Sequence, residues 1–515
     1  MANHSTCYII TYRSSISPSV KFRNPILPEL PVEILIQIFS YTISDFYSHI
    51  NKQVPSDHAC FNHQAHNSNT DTRIIGKRNE QFKPTYLRSA PTHRFSSINS
   101  NIQRTSLMSV CQHWNNIVQN TPLLWRTIEL VDTIPTQLSI LKKRLERAGS
   151  ILLDVIFEPR NISPQVVLSS LRLILRSYSQ QLPVLHIDFS SFYTPLPLSQ
   201  IDSHIPLTSY FSNLQNFILL DPRSYFYHIL QQQRINSTHL HSLSIDDCHI
   251  LNLFTDASLN SVRYLAIEQT DKIILEDDFT QIARCCNVCV VHWACINYSN
   301  LSANVVVSWP SLKALVLMLY QNQDGMHTFR RPLCIPMVEE FMLSSLISSN
   351  HSSVSNMLDS LRTPSSSHLI HLTLHRLYLL HPEMASLAIA LPQLRTLTFI
   401  ECQNINQNPA EPFLIPIIDT LPLPCPMLVN VTFSATAVST LMLLRSISSR
   451  RRLTPDSTLE ILITCNGECQ HGDEIGEDIF ELVETFPDII RHLPHHYIPT
   501  PSVAPLFGTT TYSNE

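Results

Sequence analysis

The chain is poor in glycine. It has seven glycines against 34 prolines in 515 residues. Loops that cradle phosphate need glycine, because only then can backbone N–H groups approach the ligand closely. The one loose glycine group, Gly467, Gly472 and Gly476, is not followed by Lys-Ser/Thr. P-loop and dinucleotide-binding fingerprints are therefore excluded. The charge balance is also unremarkable, with a net charge of −6, so nothing in it marks a nucleic-acid partner. No apolar run approaches the roughly 18 to 20 residues of a membrane span, and membrane partners are not expected. The start, MANHSTCYIITYRSS, lacks a basic segment leading into an apolar run, so no signal peptide is expected. Thirteen scattered cysteines without a spacing framework then read as reduced thiols of a cytoplasmic or nuclear protein. Neither a Gly-x-Ser-x-Gly elbow nor a His-Glu-x-x-His pair occurs. No catalytic residue, cofactor or metal ligand is assigned, and the chain is read as a non-enzyme.

Three histidine- or cysteine-bearing groups carry residue types that can ligate a metal. Asp57-His58-x-Cys60-x-x-His63-x-x-His66 matches no common zinc spacing. Cys285, Cys286, Cys289 and Cys295 alternate with strand residues and read as small core hydrophobes. Cys465-x-x-x-Cys469-x-His471 lacks a nearby fourth ligand.

What the chain does have is apolar periodicity. In Leu30–Phe39, Pro31 suits a helix start, and Val32, Leu35, Ile36 and Phe39 recur at helical spacing. In Leu107–Trp125, the residues Leu107, Val110, Cys111, Trp114, Ile117 and Val118 predict one apolar helix face. Thr121-Pro122 predicts a restart, with Leu124, Trp125 and Ile128 on a third helix. Between these segments, roughly 46–103, the chain is rich in Asn, His, Ser, Thr and Gln and predicts a disordered insert.

From about residue 150 one phrase recurs: apolar, two others, apolar, one other, apolar. Clear copies begin at Leu214, Leu240, Val262, Val288, Leu312, Val338, Leu369, Leu394 and Leu428, at intervals of 22 to 34 residues. Weaker copies begin at Leu152, Leu182 and Leu459. Such a period is that of strand-plus-return repeats, each unit burying its apolar side against the next. Strand alternation turns the two apolar residues of each phrase ending inward, leaving exposed positions between them. Gln281–Cys285, Met357–Leu361 and Met384–Leu391 are candidate return helices. Cys248, Cys295 and Cys402 are candidate turn residues after their strands. Asp473, Glu474, Glu477, Asp478, Glu481 and Glu484, interleaved with Ile475, Ile479, Leu482 and Val483, predict an acidic amphipathic cap helix.

The order Leu30-Pro31-x-Glu33-Ile34-Leu35-x-x-Ile38-Phe39, then Val110-Cys111-x-x-Trp114-x-x-Ile117, then Leu124-Trp125 resembles the F-box, with an insert after the first helix as in fungal F-box/leucine-rich-repeat proteins. The resemblance implies an α/β chain: a small three-helix F-box followed by an irregular leucine-rich-repeat-like solenoid. The implied segments are a tail at 1–23, an F-box at 24–131 interrupted at about 46–103, a solenoid at 150–465, an acidic cap at 466–495 and a tail at 496–515. It further implies a substrate adaptor of a cullin–RING ubiquitin ligase. Leu30, Pro31, Ile34, Leu35 and Ile38 would dock on the Skp-type linker. Phe39, Val110, Cys111, Trp114, Ile117, Leu124 and Trp125 would pack the helices, and the solenoid would bind a protein substrate of unknown identity. Two alternatives stay open: a repeat scaffold that never enters a ligase, and an enzyme within the α/β body.

Overall fold

A computed structural model describes residues 30–53, 100–130, 137–159, 163–189, 211–220, 235–274, 276–298, 307–319, 335–345, 368–402, 409–415, 423–434, 436, 440–454, 459–464 and 490–493. Helix α1 (Val32–Gln53) comes first, then α2 (Ser100–Val110), α3 (Gln112–Asn120) and a 3-10 turn, Pro122–Trp125. The sheet follows. Its strands are β1 (Thr127–Leu130), β2 (Asp154–Phe157), β3 (Val184–Asp188), β4 (Asn216–Leu220), β5 (Ser242–Ile245), β6 (Tyr264–Ile274) and β7 (Val290–Tyr298). The second half is β8 (Ala314–Leu319), β9 (Glu340–Ser345), β10 (His371–His375), β11 (Thr396–Ile400), β12 (Asn430–Ser434), β13 (Glu460–Thr464) and β14 (Ile490–Leu493). All fourteen strands form one open sheet in sequence order, and every neighbouring pair is parallel. The described return helices are α4 (Gln137–Ala148), α5 (Pro164–Ser177), α6 (Asp256–Ser261), α7 (Glu276–Ala283), α8 (His381–Ala390), α9 (Glu411–Leu414) and α10 (Thr440–Leu453).

Each of the nine clear phrases falls on a strand, β4 through β12, and the three weaker ones on β2, β3 and β13. In the nine clear copies the first apolar residue precedes the strand by two positions and is buried, as at Leu214, Leu312 and Leu394; of the weaker ones, Leu152 is exposed and Leu459 directly precedes its strand. The next two, such as Leu315 and Leu317, lie on the sheet's first face in one core that runs from Leu35 to Ile463. A repeated turn leads into the strands, and Pro310, Pro336, Pro392 and Pro426 sit in it before β8, β9, β11 and β12. Leu214, Leu312, Val338, Leu394 and Leu428 each donate an N–H to the residue three earlier, at 3.1–3.3 Å. A second repeated device fixes register. The carbonyl just before one strand accepts two N–H groups from the next, as Cys289 accepts from Lys313 and Ala314 at 2.8 and 3.1 Å.

Several boundaries differ from expectation. The sheet begins at Thr127 and ends at Leu493, outside the expected 150–465, and Ile128 lies on β1 rather than on a helix. Part of the segment expected as an acidic cap is strand, since Ile490–Leu493 pairs with β13. The acidic residues 473–484, the tails, Met357–Leu361 and 54–99 of the insert lie outside the described residues. The insert's expected first residues, 46–53, belong to α1 instead. Pro31 is not the first helical residue. Its carbonyl takes the first helical bonds, from the N–H groups of Ile34 and Leu35 at 3.0 and 3.1 Å. Met384–Leu391 is met by α8, and Gln281–Ala283 by the end of α7.

The expected single helix over Leu107–Val118 is two. Cys111 breaks it, with extended backbone at φ −161° and ψ 167°, and its Sγ accepts the Trp114 N–H at 3.5 Å. The Cys111 side chain is used to cap the start of α3. Cys111 is accordingly exposed, and so is Val110 at 58 %. Both leave the expected packing set. The rest of that set packs: Phe39, Ile117, Leu124 and Trp125 are buried, and the Phe39 ring lies 4.8 Å from that of the half-buried Trp114.

The helices close the sheet's first edge. In a parallel strand, alternate carbonyls point away from the partner, and an uncovered row invites foreign strands. Arg104 from α2 donates to the Thr127 carbonyl at 2.6 Å, and Arg144 from α4 to the Glu129 carbonyl at 3.2 Å. Arg104 also donates to the Leu124 carbonyl at 2.6 Å and lies 5.2 Å from the Trp125 ring centroid. The Trp125 indole N–H in turn donates to the Val118 carbonyl at 2.7 Å.

Candidate functional site

Two surfaces among the described residues combine exposure with organised chemistry. The first is α1. Leu35, Phe39 and Ile43 repeat every fourth residue and point inward, at 0 to 6 % exposure. Leu30, Ile34 and Ile38 repeat at the same interval, one position back, and are 40 to 48 % exposed, with Pro31 and Val32 exposed beside them. An apolar stripe left in water is the kind of patch that marks a protein contact. Four of the five expected docking residues lie on it. Leu35 does not, because its position faces the core, so it moves from docking to packing. Two other exposed apolar side chains of the helical unit, Ile102 and Leu123, were not singled out from sequence.

The second surface is the other face of the sheet. Its central row runs in register through Glu129, Ile156, His186, Ile218, Ser244, Ala266, His292, Val316 and Met342, and then Thr373, Thr398, Thr432 and Leu462. Every member from Glu129 to Met342 is buried. Thr373 and Thr398 are half-buried, and so are His371, His375, Thr396, Asn430 and Leu462 around them. The expectation of exposed positions between the inward ones thus fails along the central row from β1 to β9 and again at Thr432 on β12, while over β10 and β11 His371, Thr373, His375, Thr396 and Thr398 are half-buried rather than exposed. The reason is in the side chains. Strands such as Ala314–Leu319 (ALVLML) are apolar without a break, the pattern of a strand buried on both faces. Tyr264, Ala266, Val290, Ala294, Ala314, Val316, Met318 and Met342 form a second apolar cluster there. His371–His375 (HLTLH) and Thr396–Ile400 (TLTFI) alternate instead, which leaves one face polar.

Within the buried part, His292 Nε2 lies 3.1 Å from Met318 Sδ, and burial lowers the His292 pKa to about 4. At the boundary, Ser344 Oγ and His375 Nδ1 share a hydrogen bond of 2.8 Å. Burial lowers the His375 pKa to about 4, helped by Arg376 and opposed by Glu401. His371 is lowered by burial and by Arg395, against Glu339. Both rings are therefore neutral near pH 7. Just past β10 and β11, Arg376 and Glu401 occupy left-handed backbone at φ 55° and 49°, and their side chains pair at 2.5 Å. Lys313 and Glu339 pair at 2.6 Å.

Among the described cysteines Cys248, Cys285, Cys402 and Cys425 are buried, whereas Cys286 and Cys289, also expected in the core, are half-buried and Cys111 is exposed. Cys285, Cys402 and Cys425 are buried, and burial pushes each thiol up to about 12. Cys402, expected at a turn, donates to the Leu374 carbonyl at 3.2 Å. Cys295, also expected at a turn, lies within β7 instead. Among the described residues no group of three His, Cys, Asp or Glu side chains could hold a metal. No described helix is long and apolar enough to cross a membrane.

What these observations define is an open, in-order parallel α/β sheet with a helical unit at its first edge. No protein-family model matches the chain, and no curated protein does.

Proposed function

We propose that this chain is a substrate-recognition adaptor of a cullin–RING ubiquitin ligase, with an F-box docking on a Skp-type linker and a leucine-rich-repeat-like body binding a protein substrate. The observation that carries the reading is the α1 stripe. Leu30, Ile34 and Ile38 are exposed while Leu35, Phe39 and Ile43 anchor the same helix in the core. A few well-packed residues supply most of the affinity at protein interfaces. The order of motifs supports it too, with the Phe39 ring 4.8 Å from that of Trp114 and the Trp125 indole N–H donating to the Val118 carbonyl. The in-order sheet supports the second half, because each strand-plus-return unit stacks on the next as the units of repeat bodies do. In this reading the chain makes and breaks no covalent bond. It holds the substrate near the ligase's enzymes, which supplies proximity and orientation.

The test is co-expression of the full chain with a Skp-type adaptor and size-exclusion chromatography of the mixture. Co-elution as a stoichiometric complex is expected. Separate elution of two folded proteins would leave the scaffold reading in its place.

A further inference from the structure

The first two return helices gather positive charge. Helices α4 and α5 pack side by side and hold Lys142, Lys143, Arg144, Arg147, Arg172 and Arg176 against one acid, Glu146. No acidic residue occurs between Glu158 and Asp188, although the whole chain carries −6. Two of the six cations are used inside the fold. Arg144 donates to the Glu129 carbonyl, and Arg147 lies 4.7 Å from the Trp125 ring centroid. The other four face outward, with Lys142, Lys143 and Arg176 exposed and Arg172 half-buried. None of the four forms a hydrogen bond or ion pair among the described residues. Arg172 also turns one guanidinium nitrogen, Nη2, into a buried position where it meets no acceptor. Several cations elsewhere have carboxylate partners instead: Arg126 with Asp154, Arg284 with Asp256 and Lys313 with Glu339.

Helix ends explain part of this charge. Arg147 and Arg176 lie in last turns, where a cation suits the negative end of the helix dipole. Lys142, Lys143 and Arg172 lie before the last turn and gain little from it. Both helices return from one parallel strand to the next, so they run the same way. Lys143 and Arg172 each stand five residues before their helix ends, at similar heights on the two helices. Like charges gathered in this way repel one another, and an anionic occupant relieves that repulsion.

We propose that the outer face of α4 and α5 docks an acidic helical segment of a partner protein, with Asp or Glu repeated every fourth residue. Carboxylates one turn apart, about 5–6 Å, match Arg172 and Arg176, which are also one turn apart. Arg binds a carboxylate with two N–H groups, and Arg172 Nη2 gains its acceptor. A membrane is the poorer fit, since no described large apolar side chain of α4 or α5 is exposed for insertion. Single-stranded nucleic acid is poorer too, because neither helix holds an aromatic residue on which bases stack. This surface shares no residue with the α1 stripe, and the inference goes beyond the adaptor reading without depending on it.

The experiment uses the purified full chain and a labelled alanine-based helical peptide with Glu at every fourth position, read by fluorescence anisotropy. Its Gln counterpart, a mixed-sequence single-stranded DNA and vesicles of phosphatidylserine with phosphatidylcholine are the competing probes. The Glu peptide should bind at low salt, weaken as salt rises, and outbind all three. Lys142→Glu with Lys143→Glu changes exposed positions only, so the melt should hold while binding weakens about tenfold or more. Arg172→Glu should weaken it as well, and Lys142→Arg with Lys143→Arg should bind as the parent does. Arg445→Glu with Arg452→Glu, exposed on α10, should leave binding unchanged. Equal binding of the Gln peptide, tighter binding of DNA or vesicles, indifference to the Lys142/Lys143 reversal, or an equal loss from the α10 reversal would each overturn the proposal. Self-association of the chain that the Lys142/Lys143 reversal abolishes would assign the face to a second copy and overturn it too. Adaptor co-elution depends on the α1 stripe, so the two ideas fail separately.

Discussion

Leu315→Asp should be among the most damaging single changes in the sheet. Leu315 is fully buried in the main core, in register between Val291 on β7 and Phe341 on β9. Replacing it removes a buried leucine, about 2–3 kcal/mol of transfer free energy. It also places a carboxyl group among apolar neighbours, which costs several kcal/mol more whether the group ionises or takes up a proton. The combined loss is about 5 kcal/mol or more, comparable to the whole stability of many domains. Because each unit is held by its neighbours, the damage should spread to β7 and β9. The comparison is Lys313→Ala, two residues away. Lys313 is partly exposed and its contribution is an ion pair with Glu339, so about 1 kcal/mol is at stake. Thermal melts of the two purified variants decide the matter. Leu315→Asp should melt far below the parent, or fail to accumulate in soluble form, while Lys313→Ala stays close to it. Equal melting temperatures would refute the inward placement of Leu315 and the face assignment built on it.

Four further outcomes are expected. Ile34→Asp with Ile38→Asp changes only exposed positions, so the melt should hold while adaptor co-elution is lost; Leu35→Ala should do the reverse, costing about 2–5 kcal/mol of stability. Arg104→Met leaves the Thr127 and Leu124 carbonyls without their charged donor and should cost about 3 kcal/mol, with faster hydrogen exchange at β1 seen by mass spectrometry. Cys111→Ala should cost about 0.5–1 kcal/mol in a urea titration through loss of a helix cap, and Cys111→Ser should cost less. His292 has a folded pKa near 4, below its unfolded value, so the unfolded chain binds the extra proton between about pH 6.5 and 4. Stability should therefore fall by about 3 kcal/mol as pH drops through that window, and His292→Phe should flatten the part of the pH profile that this residue causes.

Much of the sheet was legible in the chain because its signal is redundant. The same phrase recurs often enough that irregular spacing does not hide it, and every copy marks a strand. The extra strands were harder to see. Thr127–Leu130 (TIEL) is too short to show a period, and Ile128 also suits a helix running on from Trp125. The break at Cys111 was hidden for a related reason. Both helices are apolar in phase, so the spacing from Leu107 to Val118 fits a single helix. At and along α1 the sequence carries two apolar series, each spaced by four residues and one position out of phase, Leu30-Ile34-Ile38 and Leu35-Phe39-Ile43. Periodicity cannot say which one faces water, and Leu35 was placed on the wrong side. The opening of the second face was readable in principle, in the change from ALVLML to HLTLH and TLTFI.

The central claim is that α1 presents its exposed stripe to a Skp-type adaptor. The most direct measurement is photocrosslinking of the full chain carrying benzoylphenylalanine in place of Ile38, with the same label in place of Ile389 on α8 as a second probe, both sites being exposed. The account predicts an adaptor crosslink from position 38 and none from position 389. A folded protein that crosslinks the adaptor from neither site, or only from position 389, would contradict it.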